Sequence, residues 1–160
     1  MKTKLEEEVG RLLREQGLTV ATAESTTGGL ISSLLNDVAG SSKYYKGCVV
    51  AYTHEVKVSV LGVSGDTMGR SDVSHEVCAE MAEGVRKLMN VDISLAETGI
   101  AGPTGGTPQK PIGTFYIALS SEKGTDVRLH VFQGDRLENK RSTTQVALNM
   151  LYEYLSESAK

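Results

Sequence analysis

Residues Thr19-Val20-Ala21-Thr22-Ala23-Glu24-Ser25-Thr26-Thr27-Gly28-Gly29-Leu30-Ile31 change their pattern within a few positions. The stretch alternates apolar and polar up to Ala23, then breaks into small hydroxylated residues and two glycines. It continues with Leu30, Ile31, Leu34 and Leu35, an apolar run of helical character. It reads as strand, tight turn, helix. In an open α/β sheet Ser25 then stands at the carboxyl end of a strand, the edge where such sheets bind ligands. The N–H groups of residues 27–29 are expected to point outward as donors for an anion or an oxyanion. A Ser/Thr cluster that only caps a helix is the alternative reading of the same residues.

Before this stretch, Leu5, Val9, Leu12 and Leu13 share one helix face, and Gly17 is placed to end that helix. After it, the helix is expected to run to about Asp37. Gly47-Cys48-Val49-Val50-Ala51-Tyr52 is a short apolar run, expected as a buried strand, and residues 53–62 form a short helix closed by glycine. Residues 65–74 read as a polar connection. Ser74 is the N-cap of a helix whose stripe is Val77, Cys78, Met81, Ala82, Val85, Leu88 and Met89. Residues 92–98 alternate as a strand and run into a loop, 99–111, that holds all three prolines. A long Gly/Pro loop after a strand is more often a binding loop than filler. Residues 112–119 and 127–132 form a hairpin with Gly124 in its turn, and a closing helix carries Val146, Ala147, Met150, Leu151, Tyr154 and Leu155 on one face. The fold class expected is α/β: a three-layer α/β/α sandwich with a mixed, mostly parallel sheet and helices on both faces, one domain over residues 1–160.

Composition narrows the partners. A net charge of -3 argues against nucleic acid, whose binders show a basic excess on one face, and leaves room for a small anionic ligand held by a few groups. Cys48 and Cys78 lie in apolar contexts without metal-ligand spacing, and so read as buried free thiols. His54, His75 and His130 show no metal spacing either. No leader-like or membrane-length apolar run is present, so a cytoplasmic protein with no membrane partner is expected. A homo-oligomer, dimer or higher, is compatible with all of this.

Chemistry-bearing residues fall at three places: Ser25 with Thr26 and Thr27, Tyr52 with Lys57, and Thr98 with the loop that follows. A serine hydroxyl needs a base, and a lysine serves when desolvation or a neighbouring dipole lowers its pKa. Lys57 is the nearest such lysine beyond a strand, and Tyr52 is placed to hold it or relay a proton. Each has an ordinary reading beside this one, a solvated lysine and a packed tyrosine.

Five segments, taken together, resemble the successive signatures of the CinA carboxyl-terminal family. They are Ala23-Glu24-Ser25-Thr26-Thr27-Gly28-Gly29, Tyr52-Thr53-His54-Glu55-Val56-Lys57, Thr98-Gly99-Ile100-Ala101-Gly102-Pro103, Gly105-Gly106-Thr107-Pro108-Gln109-Lys110-Pro111-Ile112-Gly113 and Gly134-Asp135-Arg136. The likeness runs in order from about Leu5 to Leu155. It implies a nicotinamide-nucleotide amidase, which hydrolyses the carboxamide of nicotinamide mononucleotide to nicotinic acid mononucleotide and ammonia. It implies Ser25 as nucleophile, Lys57 as general base and Tyr52 as their neighbour. Substrate contacts are expected from Thr26, Thr27, Gly28, Gly29, Thr98, Gly99, Ile100, Ala101, Gly102, Gly105 and Gly106. The phosphate is expected among Lys110, Arg136, Lys140 and Arg141, with no metal and no organic cofactor required. No counterpart of the amino-terminal domain of full-length CinA proteins precedes the match, so the amidase is the only activity expected. The sequence departs from the family pattern at Thr26, usually Cys, at His54, usually Asn, at Thr104, usually Asp, and at Lys140, usually Arg. A lysine supplies charge but not the bidentate fork of a guanidinium. Two alternatives stand beside this reading: a non-catalytic nucleotide-binding regulatory module, and an amidase acting on another small phosphorylated amide.

Overall fold

The computed structural model describes residues 3–160, so residues 1 and 2 of the expected domain lie outside the described residues. The elements follow in the order α1 (Leu5–Gln16), β1 (Val20–Glu24), α2 (Leu30–Asn36), β2 (Tyr45–Val50), α3 (His54–Ser59), α4 (Gly65–Arg70), α5 (His75–Met89), β3 (Ile93–Gly99), β4 (Thr114–Ser121), β5 (Gly124–Val131) and α6 (Arg136–Ser158). One sheet has the strand order β2-β1-β3-β4-β5. β1 pairs in parallel with β2 and β3, while β4 is antiparallel to both β3 and β5. Four of the five strands therefore point the same way and only β4 is reversed. The α/β architecture with a mixed, mostly parallel sheet is the expected one. No helix among the described residues is long and apolar enough to cross a membrane.

Alternation along the central strands sorts side chains by size between the two faces. Val20, Ile93, Leu95, Phe115, Ile117 and Leu119 meet α1, α2 and α6 through Val9, Leu13, Ile31, Leu35, Leu148 and Leu151. Each such large side chain contributes about 1.5–3 kcal/mol on full burial. The opposite face offers Ala21, Ala23, Ala96 and Ala118 to Val77, Cys78, Met81 and Val85 of α5. Small residues there let α5 approach closely enough to bond the sheet: Ser94 Oγ donates to the Ala82 carbonyl at 2.6 Å, and the Cys78 thiol to that of Tyr116 at 3.2 Å.

Three local differences from expectation have physical causes. β2 is an edge strand, half-exposed along most of its length rather than buried, because only β1 covers its flank. The stretch read as a polar connection contains α4, which has no apolar stripe to announce it; Ser64 caps it by accepting from the Thr67 N–H at 3.1 Å. The hairpin ladder also runs further than expected, since Ser120 pairs with Thr125 and Ser121 with Gly124, leaving only Glu122 and Lys123 in the turn.

β1 and β3 end side by side at one edge of the sheet, and the chain beyond β2 enters α3 at the same edge. The turn after α3 is fixed by contact with α5, where a Cβ on Gly84 would lie 1.9 Å from the Leu61 carbonyl oxygen. Gly84→Ala is therefore expected to lower stability by about 1–3 kcal/mol. Gly69→Ala, with open space around it on α4, should instead be neutral or gain up to about 1 kcal/mol. Urea denaturation of the two variants checks both signs; equal midpoints would contradict this account of the α3–α5 contact.

Candidate active site

Ser25 is the first residue past β1, and Lys57 sits on α3, whose start is capped by the Thr53 hydroxyl accepting from the Val56 N–H. Both side chains are nearly buried, at 5% and 3% exposure. Lys57 Nζ donates to Ser25 Oγ at 2.9 Å and to the main-chain carbonyl of Tyr52 at 3.3 Å. Burial pulls the Lys57 pKa below its ordinary value of 10.5, while the carboxylates of Glu97 and Asp72 push the other way. A lysine desolvated against a serine hydroxyl is the arrangement a Ser-Lys nucleophile requires.

The turn that carries Ser25 is held from inside by two carboxylates. Glu24 and Glu97 are register partners on β1 and β3, and both are fully buried. Glu24 Oε1 accepts from the Thr27 hydroxyl at 2.7 Å and from the N–H groups of Gly29 and Ile31 at 3.1 and 3.0 Å, and its Oε2 accepts from the Ser32 N–H at 2.9 Å. Glu97 Oε1 accepts from the N–H groups of Ser25 and Thr27 at 2.6 and 2.9 Å and lies 2.8 Å from the Thr27 hydroxyl. The expectation that residues 27–29 offer outward donors is thus corrected: the N–H groups of Thr27 and Gly29 are used internally. The physical reason is that a helix start leaves N–H groups without partners, and a buried carboxylate satisfies them and the local positive potential together. Among the described residues, the N–H groups of Thr26 and Gly28 are left without a partner in this turn. Glu97 Oε2 is buried and unpaired. Burial pushes the Glu97 carboxyl up to about 7, with the neighbouring Glu24 adding to burial and the Thr27 donors opposing it.

A cavity of about 350 Å³ opens beside the dyad, walled by Thr26, Tyr52, Asp72, Lys110, Arg136 and the loop residues Gly99, Ile100, Ala101, Gly102, Thr104 and Gly105. Half of the residues expected at the site are on this wall, and several of these have other work. The Tyr52 hydroxyl accepts from Arg136 at 3.2 Å, and only its carbonyl reaches Lys57. Lys110 Nζ is tied to the Ser71 hydroxyl at 2.7 Å and to the Val73 carbonyl, so it braces residues 71–73 over the loop. The Thr98 hydroxyl donates to the Asp72 carbonyl at 2.9 Å and supports the same segment. Gly106 packs where a Cβ would meet the Ile112 N–H nitrogen at 2.8 Å. Ser25, Thr27, Gly28, Gly29, Lys57, Thr98 and Gly106 are not on the wall. Lys140 is not on it either, and Arg141 lines a separate groove with Leu30, Leu34 and Thr144. The cause is helix geometry: Arg141 follows Arg136 by five residues, about 140° round α6.

Three residues of the site were not singled out by the sequence reading: Glu97, Asp72 and Asn139. Asn139 is fully buried, donates to the Ala101 carbonyl at 3.1 Å and accepts from the Gly134 N–H at 3.0 Å, pinning the Gly/Pro loop to α6. Asp72 bonds His54 at 3.0 Å, a contact that holds its carboxyl below the usual 3.8. Glu97 carries a readable signal, a lone charge ending the apolar run of β3, whereas Asp72 and Asn139 sit in polar stretches that carry none. No three or more His, Cys, Asp or Glu side chains among the described residues are grouped to hold a metal ion.

The model of the CinA C-terminal domain matches residues 2–155. A putative competence-damage inducible protein of Halothermothrix orenii is 48% identical over 99% of this chain and 39% of its own length. A CinA-like protein of Thermotoga neapolitana is 46% identical over 98% of this chain and 38% of its own length. The chain thus spans well under half the length of the curated relatives it matches. Among solved structures, a CinA superfamily protein from Klebsiella pneumoniae superposes with a TM-score of 0.92 at 32% identity, covering 96% of both chains. The competence/damage inducible protein CihA of Agrobacterium tumefaciens superposes at 0.85 with 35% identity, covering 98% of both. On the family match, the identities and the superposed fold, the chain belongs to the CinA C-terminal domain family.

Proposed function

We propose that this chain hydrolyses the carboxamide of nicotinamide mononucleotide to nicotinic acid mononucleotide and ammonia. The observation that carries the reading is the 2.9 Å contact between Lys57 Nζ and Ser25 Oγ at the edge of a cavity. Neutral Lys57 takes the proton of Ser25 as its oxygen attacks the carboxamide carbon. The oxyanion that develops is stabilised by the free N–H groups of Thr26 and Gly28, the donors that the two buried carboxylates leave unused. Lys57 then returns the proton to the departing nitrogen, ammonia leaves, and water cleaves the acyl-serine by the same path in reverse.

The wall chemistry supports a pyridine nucleotide over a plain amide. It carries one carboxylate, Asp72, and two cations, Lys110 and Arg136. A ligand with a pyridinium ring at one end and a phosphate at the other matches such a bipolar lining. Arg136 spends two of its donors on the Gly102 carbonyl and the Tyr52 hydroxyl. A guanidinium has five N–H donors, so others remain for a phosphate.

Ammonia release from the mononucleotide, the riboside, free nicotinamide and other phosphorylated amides tests the reading directly. Ser25→Ala and Lys57→Arg should each lower turnover by roughly 10³-fold or more, the arginine because a guanidinium does not accept the serine proton. Near-full turnover in Ser25→Ala would remove the nucleophile. Because burial depresses the Lys57 pKa, kcat/KM should climb with pH through a midpoint below 10.5 as the ammonium loses its proton. An acidic limb centred at or above 10.5 would exclude Lys57 as the base. Arg136→Ala should weaken use of the mononucleotide by roughly 10- to 100-fold, the worth of one charged hydrogen bond, and leave the riboside much less affected. Equal losses on both substrates would take the phosphate away from Arg136.

A further inference from the structure

We propose that Glu97 is a positioning residue for the nucleophile, holding the Ser25 turn in place by accepting two backbone hydrogen bonds on Oε1. This rests on Ser25 being the nucleophile. The bonds come from the Ser25 N–H and the Thr27 N–H, at 2.6 and 2.9 Å, and the Thr27 hydroxyl that donates to Glu24 lies 2.8 Å from the same oxygen. They bracket Thr26, which lines the cavity and whose N–H has no partner among the described residues. One carboxylate oxygen thus does two things. It fixes the backbone on either side of Thr26, and by occupying the donors of Ser25 and Thr27 it leaves that of Thr26 to face a developing oxyanion.

A purely structural role fits the geometry less well. Glu97 Oε2 is buried and has no partner among the described residues, and the adjacent strand places Glu24 beside it in register. Burying a second carboxyl there with an orphaned oxygen costs stability, and an apolar side chain at this strand position would avoid that cost. The cost is offset where the carboxyl grips the turn. Glu97 also lies within the electrostatic reach of Lys57 on α3 and Cys78 on α5. It is therefore adjacent to both halves of the dyad without touching the cavity.

The test reads Ser25 directly, so that its outcome is separable from that of the amidase assay. An alkyl fluorophosphonate forms an Oγ–P bond with an activated serine. Fluoride leaves as the P–F bond breaks, and the serine proton passes to Lys57 and then to solvent. The rate of adduct formation is followed by intact-mass spectrometry, with Ser25→Ala as the control for site. Glu97→Val should slow labelling at least tenfold, because no acceptor remains for the N–H groups of Ser25 and Thr27. Glu97→Gln keeps an acceptor oxygen in place and should label within threefold of the parent chain. Should Glu97→Val fail to fold, Thr27→Val, which conserves volume and removes the hydroxyl set between Glu24 Oε1 and Glu97 Oε1, should slow labelling at least threefold. Labelling of folded Glu97→Val at the parent rate, labelling of Glu97→Gln as slow as Glu97→Val, or no slowing in Thr27→Val would each overturn the proposal. If the parent chain labels at Ser25 yet releases no ammonia from any amide, the substrate reading fails while this one stands.

Discussion

The structure around the nucleophile depends on the register of β1 against β3, which sets Glu24 directly beside Glu97 at the carboxyl edge of the sheet. Between them the two carboxyl groups accept five backbone N–H groups, those of Ser25, Thr27, Gly29, Ile31 and Ser32. Bonds to charged groups contribute about 1.5–3 kcal/mol each, and leaving such donors buried and unpaired costs a similar amount. A seven-residue helix is too short to be stable by itself, and α2 has no side-chain cap at its start. Its first turn is anchored instead from beneath, by the Glu24 carboxylate of β1. A slip of one residue between β1 and β3 would break this anchor and turn every side chain of the slipped strand to the other face.

Most of the framework was legible because it is written in periodicity and in single special residues. The stripe from Val77 to Met89 is α5, capped by Ser74 as its hydroxyl suggests, and Gly17 ends α1 in the left-handed conformation that a side chain disfavours. The switch of period at Ser25 is the β1–α2 junction. What escaped was set by tertiary context. Nothing local says that β2 is an edge, since a Val-rich run reads alike at the edge and the centre. The sequence reading assigns the Tyr52 side chain to Lys57, and Lys110 and Arg141 to the phosphate, whereas Tyr52 bonds Arg136, Lys110 braces residues 71–73 and Arg141 lines a separate groove. Their roles depend on which carbonyl or helix face lies opposite, and that is decided by the path of the Gly/Pro loop over residues 71–73.

Titration behaviour at the site sets activity against stability. For Glu97 the folded value, about 7, is above the ordinary 4.5, so its contribution to stability is fully present below pH 4.5 and lost as pH rises through about 7. That swing is on the order of 3 kcal/mol. Lys57 has the opposite sign: its folded value is depressed below 10.5, so its contribution is present above 10.5 and lost as pH falls through the folded value. No pH gives both contributions in full. Burial thus lowers the pKa of the lysine and raises that of the carboxyl near it. The two charged forms raise one another's claim to charge, because ionised Glu97 favours the Lys57 ammonium. The apolar layers on the two faces of the sheet supply the stability that this pairing gives up, which is why the polar edge is confined to the strand ends and the strand centres are lined with Ala, Ile, Leu and Phe.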